Sequence, residues 1–463
     1  MRFARKNNSV ALTDGDVGLS NITQNLKFIR REARKIPSRL RMIAGSIVSR
    51  GQKDLGSLPL WEAVPLASRH FSADITELFL PQSHILHTYY DVDPISPSGR
   101  FLLVTRIPFI WRLPLPGDVA QICVVDLHNH TITAVYNTYG WGAQTGANAQ
   151  WGADDNTILF NDVLDNLGTG VRLDLSERRS VRLGGTIGGL SPDRRFSYGT
   201  RIELINGAHH GYGVPESLFR PYRNSARAFN ERNLWRTNLL SGETEIITTA
   251  DEIVAQLPRE EQLENGIPYI FNVRVSPKHN RLMIALFSKG VKGRVGWPMQ
   301  LVTCGLDGSD VALPVPDVLW KRGGHHANWH PSGTDIVMNL NFEGKGIRFV
   351  QFNDTGAEMR DIGHGRRGSG HPTVSPSGRF LLTDAYNTDG FSDSEKRIPL
   401  RLIDLESGDE KEITRLSTMN LSGDRRIDPH PVWSRHGKVI VANSVFEKRR
   451  SVILVDISES CFE

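Results

Sequence analysis

Three histidines stand at one fixed distance from a repeated turn. In G-G-H-H-A-N-W-H-P-S-G, S-G-H-P-T-V-S-P-S-G and D-P-H-P-V-W-S-R-H-G, His326, His371 and His430 each lie seven residues before a turn glycine: Gly333, Gly378 and Gly437. Imidazole suits Zn²⁺, Mn²⁺ and related ions. One histidine in such a place ordinarily bonds backbone in a packed interior. Three at matched positions on a repeating frame are expected to point at one spot. Asp428 and Asp384 are carboxylates near enough in sequence to complete or orient such a set. The expected cofactor is therefore a divalent metal ion, Zn, Mn or Ca, at His326, His371, His430 and Asp428.

Other groups fall on the approaches to similar turns. Gln144 and Gln150 lie in G-A-Q-T-G-A-N-A-Q-W-G, and Tyr269 in I-P-Y-I-F-N-V-R-V-S-P, where Asn272 takes the histidine offset. His84, His87, Tyr89 and Tyr90 lie in H-I-L-H-T-Y-Y-D-V-D-P. The longest gap between turns holds an insertion, residues 205–233, with His209, His210, Tyr212, Tyr222 and several arginines. Long insertions often form binding rims. Each of these groups also has a structural reading, as a polar turn, a core aromatic or a solvated loop. The chain contains no G-x-S-x-G elbow, phosphate-binding loop or H-E-x-x-H.

The elements that would position these groups are repeated. Turns such as Ser96-Pro97-Ser98-Gly99, Ser191-Pro192-Asp193-Arg194, Ser276-Pro277-Lys278-His279 and Ser375-Pro376-Ser377-Gly378 each precede a short apolar run. Proline presets φ for the turn, and Gly or Asn accepts positive φ. A second strand then follows, often ending in a hairpin such as L-S-G-E or L-E-S-G-D. Seven such units, with a period of very roughly 50 residues, predict an all-β fold, a seven-bladed β-propeller. It is expected over residues 76–463. Residues 1–75 are expected to form a basic, partly helical N-terminal extension, helical over about residues 20–50. In a propeller the residues before each inner strand converge at one channel mouth, whatever their separation in sequence.

Composition narrows the partners. With 55 Lys and Arg against 51 Asp and Glu, the formal charge of +4 gives no strong nucleic-acid or membrane footprint. Three dispersed cysteines, Cys123, Cys304 and Cys461, suggest no disulfide framework. No apolar run reaches the roughly 18 residues of a membrane span, and the first residues lack the apolar core of a secretory signal. A cytoplasmic location is expected, with no nucleic-acid partner and no membrane span.

The histidine motifs, together with Q-T-G-A-N-A-Q-W-G-A-D-D, resemble the seven-bladed propeller polysaccharide lyases: the oligogalacturonate, ulvan and rhamnosyl-glucuronate lyases. The likeness covers roughly residues 84–460. It implies β-elimination on a uronate-containing oligosaccharide or polysaccharide. In that chemistry a cation neutralises the uronate carboxylate, a base removes the C5 proton and an acid protonates the leaving oxygen. The resemblance implies Tyr212 as the catalytic tyrosine, with His210, and Arg236 or an insertion arginine as neutraliser; Tyr269 would assist. It also implies a second-blade histidine, but Gln144 and Asn148 stand there. Where the oligogalacturonate enzymes carry an H-P-H-P cluster, this chain has D-P-H-P with one histidine, His430. The alternative is a non-catalytic propeller that binds a glycan or protein partner.

Overall fold

The computed structural model describes residues 55–66, 73–165, 167–209, 211–215, 232–263, 266–291, 298–421 and 423–457. The expected helical segment at residues 20–50 lies outside the described residues, as do His210, Tyr222 and Cys461. The strands form seven antiparallel sheets, and each is one blade of a seven-bladed β-propeller. The first blade runs outward through His84–Leu86, Phe101–Ile107, Ala120–Asp126 and Thr131–Thr138. The sixth runs through Thr373–Val374, Phe380–Thr383, Ile398–Asp404 and Glu410–Leu416.

The repeated serine explains why these turns recur. Its hydroxyl accepts the backbone N–H five residues on: Phe101 onto Ser96 at 3.2 Å, Phe196 onto Ser191 at 2.9 Å, Phe380 onto Ser375 at 3.1 Å and Val439 onto Ser434 at 3.0 Å. The turn thus satisfies a donor at the start of the second strand that would otherwise be left unpaired. Each pair of neighbouring blades then shares its own apolar cluster. Leu103 and Trp151 join the first to the second, Leu159 and Leu239 the second to the third, and Leu234 and Ile284 the third to the fourth. Met283 and Met338 follow, then Phe349 and Leu381, then Leu402 and Ile440.

The ring is closed from the other end of the chain. The strand Asp74–Phe79 pairs with Arg449–Asp456 of the seventh blade, matching Leu78 to Val452 and Thr76 to Leu454. Glu62–Pro65 extends the same sheet, and Gly56–Ser57 pairs with the outer strand of the first blade. The expected boundary after residue 75 therefore falls inside a strand, and pairing into blades begins before it. The sequence hid this because D-I-T-E-L-F carries neither a turn signal nor regular alternation. Its Glu77 is buried and accepts the Ser451 hydroxyl.

Leu78 is fully buried between the seventh and first blades. Leu78→Ala is expected to lower stability in urea by about 2–5 kcal/mol. Glu62→Ala, on an exposed position of the adjoining strand, should change it by less than about 0.5 kcal/mol.

Candidate metal and substrate centre

His371 and His430 precede the short inner strands Thr373–Val374 and Val432–Trp433, and His326 lies at the start of Gly324–Trp329. The shared offset brings them together at one mouth of the channel. Ring centroids of His326 and His371 are 4.1 Å apart, and those of His371 and His430 are 4.5 Å apart. His326 and His430 both hold left-handed backbone, at φ 57° and 49°. Such a conformation costs a non-glycine residue roughly 1–3 kcal/mol and persists where surroundings impose it. At His326 a bulge between His325 and Asn328 supplies part of that constraint.

His371 is oriented by a buried carboxylate. Its Nδ1 lies 2.9 and 3.0 Å from the two oxygens of Asp384, which also accepts the His371 backbone N–H at 2.7 Å. With Nδ1–H donating, Nε2 carries the lone pair, and that atom is buried without a partner. Both ring nitrogens of His430 are likewise buried and unpartnered. Asp428 lies 3.9 Å from His430 Nε2 and is paired with Arg426 at 2.7 Å. Ligand atoms of His371, Asp428 and His430 all fall within 4.8 Å of one another. Two imidazoles with unpartnered nitrogens and a carboxylate fit a first-row divalent cation, and the orphaned nitrogens fit it better than they fit an apolar interior.

His326, expected as a ligand, falls outside that set of three. Its Nδ1 lies 2.7 Å from His325 Nδ1, and the Tyr386 hydroxyl lies 3.3 Å from both its nitrogens. It lines the centre beside His371, and the third donor near His371 and His430 is the Asp428 carboxylate. Burial, reinforced by His371, holds His326 well below the ordinary imidazole range; the same two causes act on His430. Both are neutral at pH 7, the form that binds metal or accepts a proton.

The remaining expected residues divide. Tyr212 is at the centre: its hydroxyl accepts from Arg426 Nη2 at 2.9 Å, and its ring meets Tyr89 edge-on at 6.3 Å. Burial pushes its phenol up to about 12 even with Arg426 beside it, which makes it a proton donor rather than a base. Gln144 is wholly buried; its Nε2 donates to the Arg426 carbonyl at 2.7 Å and its Oε1 is unpartnered. It props the arginine and does not reach the histidines. Asn148 donates to Ile187 O. Tyr269 bonds His209 Nδ1 at 3.0 Å and stacks on Phe287, in a wall next to Tyr212 through Phe271. Arg236 is not at the centre. It pairs with Glu245 and covers Phe196, because its strand is the third of its blade, two places out from the inner strand at the channel.

Four side chains at the centre were not singled out from the sequence as its parts. Arg426 stands two residues before Asp428 in R-R-I-D-P-H-P, a signal available in the motif itself. Tyr386 follows Asp384 by two residues. Tyr89 and Tyr90, expected as packing or rim residues, place their rings 4.5 Å from His430 and 5.1 Å from His371.

No known family's sequence profile matches the chain, and no curated protein matches it. Solved structures do. An oligogalacturonate lyase in complex with manganese superposes with a TM-score of 0.61 at 18% identity, covering 88% of this chain and 99% of that one. An oligogalacturonate lyase from Vibrio parahaemolyticus gives 0.60 at 15% identity, with the same coverage. At these identities the likeness establishes the fold. Among the described residues no helix is long and apolar enough to cross a membrane.

The buried histidines predict acid lability. His87 is buried against Pro429 O, and burial lowers it to about 4; His84 is also lowered to about 4. The unfolded chain takes up these protons below about pH 6.5 and the folded chain does not. Stability should therefore fall steadily as pH drops from about 6.5 towards about 4. Urea midpoints at pH 7.5 and pH 5 read this, and His87→Gln should flatten the dependence.

Proposed function

We propose that this chain is a lyase that cleaves a uronate-bearing oligosaccharide by β-elimination at the channel mouth formed by His326, His371, His430, Asp428, Arg426 and Tyr212. The observation that carries the reading is the set of buried, unpartnered nitrogens on His371 and His430 beside Asp428. An overall fold shared with oligogalacturonate lyases, one of them solved with manganese, supports it.

A divalent cation bound to His371, His430 and Asp428 would supply positive charge to the uronate carboxylate, easing loss of the C5 proton. The side chains supply the rest. Arg426, 31% exposed and already fixed by Asp428 and Tyr212, is positioned to hold the carboxylate from the solvent side. Neutral His326 accepts the C5 proton. The C4–O bond breaks as the C4=C5 double bond forms, and the leaving oxygen takes a proton from Tyr212, whose phenol burial keeps protonated. Asp384 is a positioning residue: it fixes the tautomer and plane of His371. Exclusion of water by the surrounding tyrosines strengthens each of these interactions.

The test is the ultraviolet absorbance of the conjugated product on a panel of uronate oligosaccharides with Mn²⁺. Tyr212→Phe and His326→Gln should each lower kcat about 10²–10⁴-fold while leaving metal content unchanged. Absence of unsaturated product across galacturonate, glucuronate and ulvan oligomers would sink the reading. Separately, Asp384→Asn should weaken Mn²⁺ binding about 10–100-fold in equilibrium dialysis, and His430→Ala should abolish it.

A further inference from the structure

The channel has a second end. Tyr89 and Tyr90, which pack on the histidines, also line a cavity of about 560 Å³. Its walls include Pro192, Pro277, Pro331 and Pro376, all from the turns that follow inner strands. The cavity therefore reaches the mouth opposite the histidine centre; none of the three histidines lines it, and of the groups at that centre only Tyr89, Tyr90 and Tyr212 do.

The charge there is unbalanced. Arg194, Arg274, Lys278 and Arg435 line the cavity against only Asp91 and Asp93, leaving two cationic charges in excess. Arg274 is 7% exposed; its Nε pairs with Asp91 at 2.5 Å, and its Nη2 is buried without a partner. Arg435 repeats the pattern from the seventh blade: its Nε is 3.2 Å from Asp93, and its Nη2 is buried and unpartnered. Each carboxylate thus leaves a guanidinium N–H edge free. Arg194 makes no ion pair among the described residues, and burial next to Arg435 lowers it to about 10.

Arg194 also sits where the fold asks for glycine. In four other blades the fourth turn residue is Gly99, Gly333, Gly378 or Gly437, at φ 82°, 80°, 82° and 68°. Each donates its N–H to the first turn residue, and Arg194 does the same to Ser191 at 2.8 Å while holding φ 57°. A left-handed arginine costs roughly 1–3 kcal/mol that glycine would avoid. This turn accepts backbone strain and places a guanidinium beside that of Arg435, in the cavity that Arg274 also lines.

We propose that this mouth is a second binding site, for a small oxyanion, a carboxylate or a phosphate, held by Arg194, Arg274 and Arg435. Planar guanidinium edges with free N–H groups match such anions, and burial strengthens the pairing. Nothing in this inference depends on the lyase reading.

Arg194→Gly provides the test, because it restores the turn residue of the other blades and should leave the melting temperature within a few degrees of wild type. Inorganic phosphate and D-galacturonate are titrated separately into the full chain by calorimetry, with fluorescence of Trp329 and Trp433, which line the cavity, as a second readout. Saturable binding at least tenfold weaker in Arg194→Gly and in Arg435→Gln, and unchanged in Arg426→Gln, is the expected result. Displacement of phosphate by galacturonate identifies a sugar acid as the ligand; binding of phosphate alone identifies a phosphate. No saturable binding of either anion overturns the proposal. So does loss that follows Arg426→Gln rather than Arg194→Gly, which would put the anion at the histidine centre and leave the lyase reading standing.

Discussion

Everything at the centre depends on closing the ring with a strand from the far end of the chain. Asp74–Phe79 hydrogen bonds to Arg449–Asp456, and Leu78 fills the seam between the seventh and first blades. The seam separates Asp428 and His430 on one side from Tyr89 and Tyr90 on the other. His87 crosses it, donating its backbone N–H to Asn443 Oδ1 at 2.9 Å. A propeller without this pairing would present an exposed sheet edge, and its blades could spread. With it, the distances among seven inner strands are fixed, and ångström-scale contacts between residues more than 300 positions apart become possible.

The second governing fact is dryness. His371 and His430 are fully buried, and Asp428 and Tyr212 nearly so. Burial keeps His326 and His430 neutral and the Tyr212 phenol protonated. It also makes an unpartnered imidazole nitrogen expensive, by about 1–3 kcal/mol. A fold that leaves three such nitrogens together, with left-handed backbone at two of the histidines, spends stability on an arrangement that bulk apolar packing would not select. A cation between these donors would offset that cost.

Tyr89 and Tyr90 stand between the histidines and the cavity. On one side Tyr89 and Tyr90 face imidazoles; on the other the Arg274 guanidinium lies 5.6 and 5.0 Å from their ring centres. The same two side chains can present a π-face to a cation and an edge to a histidine, which lets one thin layer separate two differently charged sites.

Much of the frame was legible in the sequence, because the signals are local. A turn rich in Ser, Pro, Gly and Asp, followed by a mostly apolar run, repeats seven times over and predicts blades. Counting back from the turn glycine predicts which histidines share a level in the channel. Spacing fixes height along the channel but not which way a ring turns or what it bonds. The bonding of His326 to Tyr386 and the turning of Arg236 towards Glu245 follow from neighbours on other segments of the chain. The closing strand was hidden because it carries no turn and buries a glutamate. Arg194 looked like an ordinary turn residue, and its φ and its neighbour Arg435 make it a strained cation beside another. The sequence by itself determined the repeat and the level of each group. Tertiary structure decided partners, protonation and charge balance, because those depend on burial and on side chains that meet only when the ring closes.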